Sequence, residues 1–564
     1  MASITGKKTI FFVTSPRSPL KMVNDVRILV ENFSEKKWSV KTQKTYYELL
    51  SSGKFYEGDK SSDSAFSARD RITRGPKSLG LVNLQPVISL TKAGKEFVYG
   101  PRTEEALLRQ ILKFQFPSPF HVDKAEKFFV KPYLELMRFI NDLEGLTKTE
   151  IALFVVQLIN YQDYGSIKNK IEQFRYKARM NREKHEVRYR KFIESQFKKE
   201  IYILYREEIG SGKISIRGTK EVTLDKFYRT KQSNYLDYAD AAIRYLRSTG
   251  LFTFDPKRLR ILVMPERKAD VSFLLKSIER SPSHFESKDL YIEHLGQTST
   301  PILFTDDKER IVRKISHYSR ELTNQQLNKK SLSELKNLLL KLLQKRINTI
   351  INQQREKLRT YSEYEDVQRI FNQITNSEIT DPSLFFEWNT WRAFEMLDDG
   401  EIEGKFRVDE NGLPLYTAPG NSPDIVCKYK NFDTIVEVTI SSGQRQYEME
   451  GEPVARHFGN YRRQTKKTVF VIFIAPTLSS ATLAHFFTQA KSEIVYYGGR
   501  VTIIPLKLES FKVLLENAKN ALRPPNSKDI YELFTFLSEL AIKVANENEW
   551  IARINEKVKV AFLP

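Results

Sequence analysis

At 564 residues the chain is too long for one hydrophobic core, and roughly two to four domains are expected. Hydrophobic residues at 40% and aromatics at 12% exclude a disordered chain, and the single cysteine, Cys427, excludes an internal disulfide and any cysteine-based zinc cluster. The formal charge of +21, from 91 Lys and Arg against 70 Asp and Glu, leaves two readings. One is a soluble basic protein; the other has a polyanion such as nucleic acid as its partner, each neutralised phosphate releasing counterions.

In chain order, Lys7 and Lys8 precede only a short stretch, Thr9-Ile10-Phe11-Phe12-Val13, too brief for a signal-peptide core. No run approaches the ~20 apolar residues that span a bilayer, so a cytoplasmic chain without a membrane partner is expected. Residues 64 to 98 read as helix, hairpin, helix. Ala68-Arg69-Asp70-Arg71-Ile72-Thr73-Arg74 is helical, Leu79-Gly80-Leu81-Val82 ends it with a glycine cap, Val87-Ile88-Ser89-Leu90 alternates like a strand, and Thr91-Lys92-Ala93-Gly94-Lys95 opens the next helix. That is the pattern of a winged helix, whose helix enters the major groove while its hairpin rests on the backbone.

A weaker copy spans about 132 to 264. Thr147 caps a helix with Glu150 completing a capping box, and Ala241 to Leu246 runs through Thr249-Gly250-Leu251-Phe252 into a hairpin near Asp255-Pro256. Between them, residues 168 to 199 are dense in Lys and Arg; a solvated helix face and a phosphate-contacting surface are both open. From 265 to about 375, Leu332, Leu335, Leu338, Leu339 and Leu342 keep helical spacing and suggest a helical connector. From about 376, strands at 424–429, 434–440, 468–475 and 501–506, with helices near 482 and 510, predict a central mixed sheet.

The chemistry concentrates there. In Ile435-Val436-Glu437-Val438-Thr439, Glu437 is a lone carboxylate among β-branched residues, costly unless it meets a cation or a donor. Asp424, thirteen positions earlier in Asn421-Ser422-Pro423-Asp424, would come beside it through a hairpin. Paired carboxylates suit Mg²⁺, an oxygen-seeking cation that polarises a scissile phosphate. Glu387, in Phe385-Phe386-Glu387-Trp388, has Leu384, Trp391 and Phe394 as helical neighbours and so faces the packed side. It reads either as a ligand or as half of a salt bridge to Arg392 or Arg456, with Glu395 a competitor on the same helix. Downstream, Glu448-Met449-Glu450-Gly451-Glu452 clusters acids before Arg456 and His457, and His457 reads as hydrogen-bonded or phosphate-facing. The spacing resembles the PD-(D/E)xK nuclease motif, with Thr439 where a lysine is usual; Glu450 or Gln446 would then position the attacking water.

Several long motifs in one order carry a resemblance. They are Thr14-Ser15-Pro16-Arg17-Ser18-Pro19, Ala68-Arg69-Asp70-Arg71, Leu112-Lys113-Phe114-Gln115-Phe116-Pro117-Ser118-Pro119, Phe386-Glu387-Trp388-Asn389-Thr390-Trp391, Gly420-Asn421-Ser422-Pro423-Asp424, Glu437-Val438-Thr439 and Met449-Glu450-Gly451-Glu452-Pro453-Val454. Nearly end to end, the chain resembles the AlwI-like family of type IIS restriction endonucleases, most of all its GAGTC-reading branch of double-strand cutters and strand-specific nickases. The resemblance implies a multidomain α/β chain: a mostly helical, winged-helix-like recognition half (1–265, two subdomains), a helical linker (266–375) and a PD-(D/E)xK-like α/β nuclease domain (376–564). It implies Mg²⁺ as cofactor, held by Asp424, Glu437 and Glu387. The catalytic acids would be Glu387, Asp424, Glu437 and Glu450, with His457 and Gln446 auxiliary. The family itself has Glu-Val-Thr, which accounts for Thr439. Double-stranded DNA is the implied partner, contacted by Arg17, Arg69, Arg71, Arg74 and Lys77, since guanidinium forks suit guanine edges and any cation suits phosphate. The alternative for Arg69 or Arg71 is a pairing with Asp70 or Glu residues that holds the domain together, and Lys113 and Gln115 read as DNA-facing or structural. A transient homodimer through the nuclease domains, in the bacterial cytoplasm, would cut both strands a few base pairs outside a short asymmetric site. A nickase is the alternative within the enzymes, and a non-catalytic winged-helix regulator the alternative outside them.

Overall fold

The computed structural model describes residues 2–52, 63–182, 186–216, 218–319, 321–397, 399–417 and 422–563, so Gly420 and Asn421 of the Asp424 motif lie outside the described residues. The chain divides into two compact units, Met1–Gln344 and Lys345–Pro564.

In the first unit, helix α1 (Ser64–Ile72) runs into a wider turn over Thr73–Lys77. Gly80 follows at φ +71°, and a Cβ there would stand 2.4 Å from that of Leu295, so only glycine fits. Strands β1 (Val82–Asn83) and β2 (Ser89–Leu90) pair antiparallel, and the Thr91 hydroxyl accepts from Gly94 N to cap α2 (Lys92–Tyr99). The expected helix, hairpin and helix are all present. Further on, β3 (Leu146–Thr147) leads into α3 (Lys148–Leu153), where Thr147 and Glu150 form the reciprocal capping box read from the sequence. Helix α4 (Leu224–Arg247) then feeds a hairpin of β4 (Phe252–Asp255) and β5 (Arg260–Val263), which completes a three-stranded antiparallel sheet in the order β3-β5-β4. The basic stretch at 168–199 falls on the helices Tyr164–Arg182 and Glu186–Leu204.

The stretch expected as one linker is divided between the units. Val271, Leu274, Leu275 and Leu303 are buried in the large core that starts at Ile4, while Ile311, Ile315, Leu327, Leu335 and Leu339 form a smaller cluster. The boundary falls within helix α5 (Leu332–Arg359). Helix α6 (Tyr364–Thr375) belongs to the second unit, where Phe371 packs 6.1 Å from Phe386 and 6.4 Å from Phe511. Apolar periodicity marked these helices, but which core each stripe meets is a tertiary matter.

The second unit is built on a mixed five-stranded sheet. Helix α7 (Pro382–Leu397) precedes β6 (Glu401–Gly404), then come the pair β7 (Phe406–Val408) and β8 (Pro414–Thr417), then β9 (Ile425–Lys428) and β10 (Phe432–Val438). Helix α8 (Gly443–Arg462) crosses to β11 (Thr468–Ala475), α9 (Ser480–Lys491) to β12 (Ile503–Lys507), and α10 (Leu508–Asn520) follows. The order is β12-β11-β10-β9-β6, with β10, β11 and β12 parallel and β9 antiparallel to both of its neighbours. The run Phe470 to Ala475 in β11 is buried on both faces, as suits a central strand in a covered parallel sheet. Among the described residues no helix is long and apolar enough to cross a membrane.

Candidate active site

Register brings three charged residues into one row. Ile425 pairs with Val436 across β9 and β10, and with Gly404 across β9 and β6. One further step sets Asp424 opposite Glu437 on one side and Lys405 on the other. Two bonds confirm that step: Lys405 N donates to Asp424 O at 3.0 Å, and Val438 N donates to Asp424 Oδ2 at 2.9 Å. Residues directly opposite on adjacent strands share a face, so one cation and two carboxylates stand at one edge of the sheet. The hairpin expected from spacing is therefore formed, and Lys405 joins it from a strand that motif reading did not connect.

The neighbouring helices add the rest. From α8, His457 Nδ1 lies 2.7 Å from Glu437 Oε1, and Glu450, two turns earlier on that helix, presses its charge on Glu437. From α7, half-buried Glu387 accepts from Thr417 Oγ1 at 2.9 Å. The two arginines weighed as its partners are engaged elsewhere, Arg392 with Asp366 at 3.0 Å and Arg456 with Glu452 at 3.0 Å. Glu395, the competitor, is fully buried and held by Arg355 at 2.8 Å and Arg359 at 3.5 Å, which makes it a strut of the helix packing. Glu387 is the acid of α7 that the site's lysine feels.

Gln446 takes a different part from the water-positioning expected of it. Its amide donates to Ser441 O at 2.9 Å and Thr477 O at 2.8 Å and accepts from Ser479 N at 2.8 Å, a clamp on the loops after β10 and β11. The Thr439 hydroxyl likewise closes a local turn by accepting from Ser441 N at 3.1 Å.

The electrostatics are those of a site short of positive charge. Loss of water, then the Glu437 charge, pushes the Asp424 carboxyl up to about 8. Burial, then the Glu450 charge, raises Glu437 well above the usual carboxylate range. Burial lowers Lys405 although Asp424, Glu437 and Glu387 pull it upward. Four carboxylates thus face two standing cations, Lys405 and Arg456. A divalent cation with a preference for carboxylate oxygen fits that donor set and would reverse the shifts. Among the described residues no three acid or histidine groups are already gathered into a closed metal cage. Mg²⁺ does not require one, since it is held by one or two carboxylates and completes its shell with water and substrate.

Over residues 77–514 the chain matches the model of the AlwI restriction endonuclease family. The chain belongs to the AlwI restriction endonuclease family. It is a site-specific deoxyribonuclease, and the rival reading of a non-catalytic regulator is set aside. Two solved structures are similar to this AlwI-family enzyme. One is the small subunit, R.BspD6I2, of the heterodimeric restriction endonuclease R.BspD6I: 23% identity, 34% of this chain and 98% of that chain, TM-score 0.29. The other is the BpuJ1 endonuclease binding domain in complex with pyrene- and phenanthrene-modified DNA: 14% identity, 49% of this chain and 89% of that chain, TM-score 0.30. No curated protein matches the chain.

The residues expected to contact DNA in this AlwI-family enzyme separate into two groups. Arg71 grips Asp25 with both arms of its fork, each bond 2.8 Å, and Asp25 is fully buried; that guanidinium is structural. Lys113, buried and bonded to Gln110, Leu295 O and Gln297 O, is structural too, as is Gln115, which bridges Pro117 and Ser283. Arg17, Arg69 and Arg74 keep exposed heads, while Lys77 is partly buried. Arg17 pairs with Asp237 at 2.9 Å and Arg74 with Asp70 at 2.6 Å while each side chain stays about half exposed (51% and 49%). Arg69 lies over Phe66 and Lys77 over Phe120. Sequence separation hid Asp25 from Arg71, since the partner is 46 positions away on another helix.

Proposed function

We propose that this AlwI-family enzyme is a type IIS endonuclease. Residues 1–265 read a short asymmetric duplex site, 266–375 connect, and 376–564 hydrolyse phosphodiesters a few base pairs away with Mg²⁺. The observation that carries the reading is the cross-strand row Lys405–Asp424–Glu437, with Glu450 and His457 set against it from α8. The helix-and-hairpin elements of the first unit support winged-helix-like recognition, with Arg17, Arg69, Arg74 and Lys77 as contacts. The family resemblance supports GAGTC as the site.

Asp424 and Glu437 would hold the Mg²⁺, with Glu387 beside them, and the bound ion supplies Lewis-acid polarisation of the scissile phosphate. The chain's own groups do the rest. Water attacks phosphorus, the P–O bond to the leaving oxygen breaks, the leaving oxygen takes a proton from solvent water, and the attacking water's own proton needs an acceptor. Glu450, whose charge already reaches Glu437, orients the water and receives that proton. His457 fixes the Glu437 carboxylate by sharing a proton with Oε1. Lys405, whose Nζ donates to Ser422 O at 2.8 Å, would supply the positive charge that the superfamily's lysine supplies, Thr439 having none. It draws a phosphate toward the acids and steadies the charge that grows on it.

Plasmid incubation decides the reading. Cutting is expected with Mg²⁺ and none with EDTA, and Asp424→Ala or Glu437→Ala should bind DNA without cutting it. Wild-type cleavage by either variant would overturn the assignment. Run-off sequencing of both strands reads the site, the offset and the strand choice together, and a sequence other than GAGTC would correct the branch.

A further inference from the structure

We propose that a cavity in the first unit, distant in sequence from the nuclease acids, seats a backbone phosphodiester of the bound DNA. The inference rests on the reading above that this unit binds DNA. The cavity, about 310 Å³, opens between the N-terminal segment, the loop at 213–215 and one face of α4. Four lysines line it, Lys7, Lys8, Lys213 and Lys231, against a single carboxylate, Glu208. That carboxylate is taken by Lys8 at 3.3 Å. Lys7 and Lys231 have no acid within ion-pair distance among the described residues. Each ammonium instead rests on aromatic rings, Lys7 4.7 Å from the centre of Phe11, Lys231 4.4 Å from that of Tyr205 and 5.1 Å from that of Phe227.

An aromatic face holds an ammonium in place without neutralising it, so its N–H donors stay available to a ligand. Like charges gathered in a half-enclosed space repel until an anion joins them. Lys7 shows the strain: burial and the charges of Arg74 and Lys231 weaken its hold on its proton. The charge of Arg74, a proposed DNA contact, is felt at Lys7 and at the lining residue Tyr238. Arg17 adjoins the cavity as well, through Asp237, next to the lining residue Tyr238 on α4. Tyr235 is buried in the wall, where loss of water keeps its hydroxyl protonated. Four ammonium donors against a single amide, that of Asn234, suit a phosphate, which fixes register without reading sequence.

The test is binding of a short random-sequence duplex in EDTA, where no strand is cut, across a range of salt. Lys231→Gln and Lys7→Gln are each expected to weaken binding about tenfold and lower the slope of log affinity against log salt by about one. Lys231→Arg should keep both, and unchanged melting temperatures show that the variants fold. Wild-type affinity and slope in both glutamine variants overturn the site, and so does a wild-type chain that does not bind the duplex. If the slopes are unchanged but inorganic phosphate, against chloride of equal ionic strength, raises the melting temperature only when Lys7 and Lys231 are present, the ligand is free phosphate and the DNA assignment falls. Lost slopes together with absent Mg²⁺ cleavage would uphold the cavity and sink the nuclease reading.

Discussion

Asp424 is the residue where function and stability oppose each other. Its folded-state pKa of about 8 lies above the roughly 4 of an unfolded aspartate, so the metal-free folded chain keeps a proton that the unfolded chain releases. Stability of the metal-free protein therefore falls as pH rises from about 4 to about 8, and Mg²⁺ should restore most at the upper end, where no proton competes. Asp424→Asn keeps an oxygen for the Val438 N–H and removes the charge. It should abolish cleavage yet raise the melting temperature in EDTA at pH 8, by about 2–4 °C for each kcal/mol relieved, and lose the Mg²⁺ response. Scanning calorimetry with and without Mg²⁺ checks all three, and a variant less stable than wild type at pH 8 would refute the electrostatic account. Lys405→Met should lower the cleavage rate by about 10²–10³-fold with binding little changed, and Lys405→Arg should recover part of it. Equal loss of binding and rate would assign Lys405 to holding substrate. Among the arginines, Arg71→Ala removes the two-armed partner of the buried Asp25 and should cost about 3–5 kcal/mol by urea denaturation. Arg74→Ala should stay within about 0.5 kcal/mol of wild type while weakening DNA binding.

At the scale of elements, the β1–β2 hairpin depends on close backbone contact. A Cβ on Gly94 would lie 2.0 Å from the Leu81 carbonyl oxygen, and both are backbone-bound, so neither yields cheaply. Gly94→Ala should shift β1 against α2, lowering the urea midpoint and weakening DNA binding while the Mg²⁺ response of the second unit is retained; a fully wild-type protein would show that the hairpin has slack. Elements like these were legible because their signals are local: the Thr147–Glu150 box, the Thr91 cap, and the β-branched runs that became β10 and β11 within a residue or two of expectation. The Asp424–Glu437 hairpin was legible for the same reason, two adjacent strands with a short turn. Lys405 was not, because it enters through the register of β6, across a segment that includes the separate β7 and β8 pair. Gln446 misled because a polar residue near acids looks functional until its backbone partners are known. Which core the helices of 266–375 meet was not legible, because a leucine stripe says that a helix is buried and not against which core.

Across the whole molecule the charge is divided as sharply as the fold. Residues 1–344 carry 63 Lys and Arg against 41 Asp and Glu, net +22, while 345–564 carry 28 against 29, net −1. The polyanion-binding character read from composition therefore belongs to the first unit, and removing an acid from the second should leave the salt slope of DNA binding unchanged. A near-neutral second unit also bears on strand choice. Among the described residues each chain offers one acid row, so two cuts require either two visits or a second copy, and two units of net −1 approach each other without the repulsion that two units of net +22 would feel. The expectation is that supercoiled plasmid passes first to open circle and then to linear, with the second step speeding up as enzyme concentration rises while the first only saturates. Linear product forming at a rate independent of excess enzyme would replace the transient homodimer with sequential visits by one chain. Open circle that persists at any enzyme concentration would assign the chain to the nicking alternative, with the same acids and no productive dimer surface.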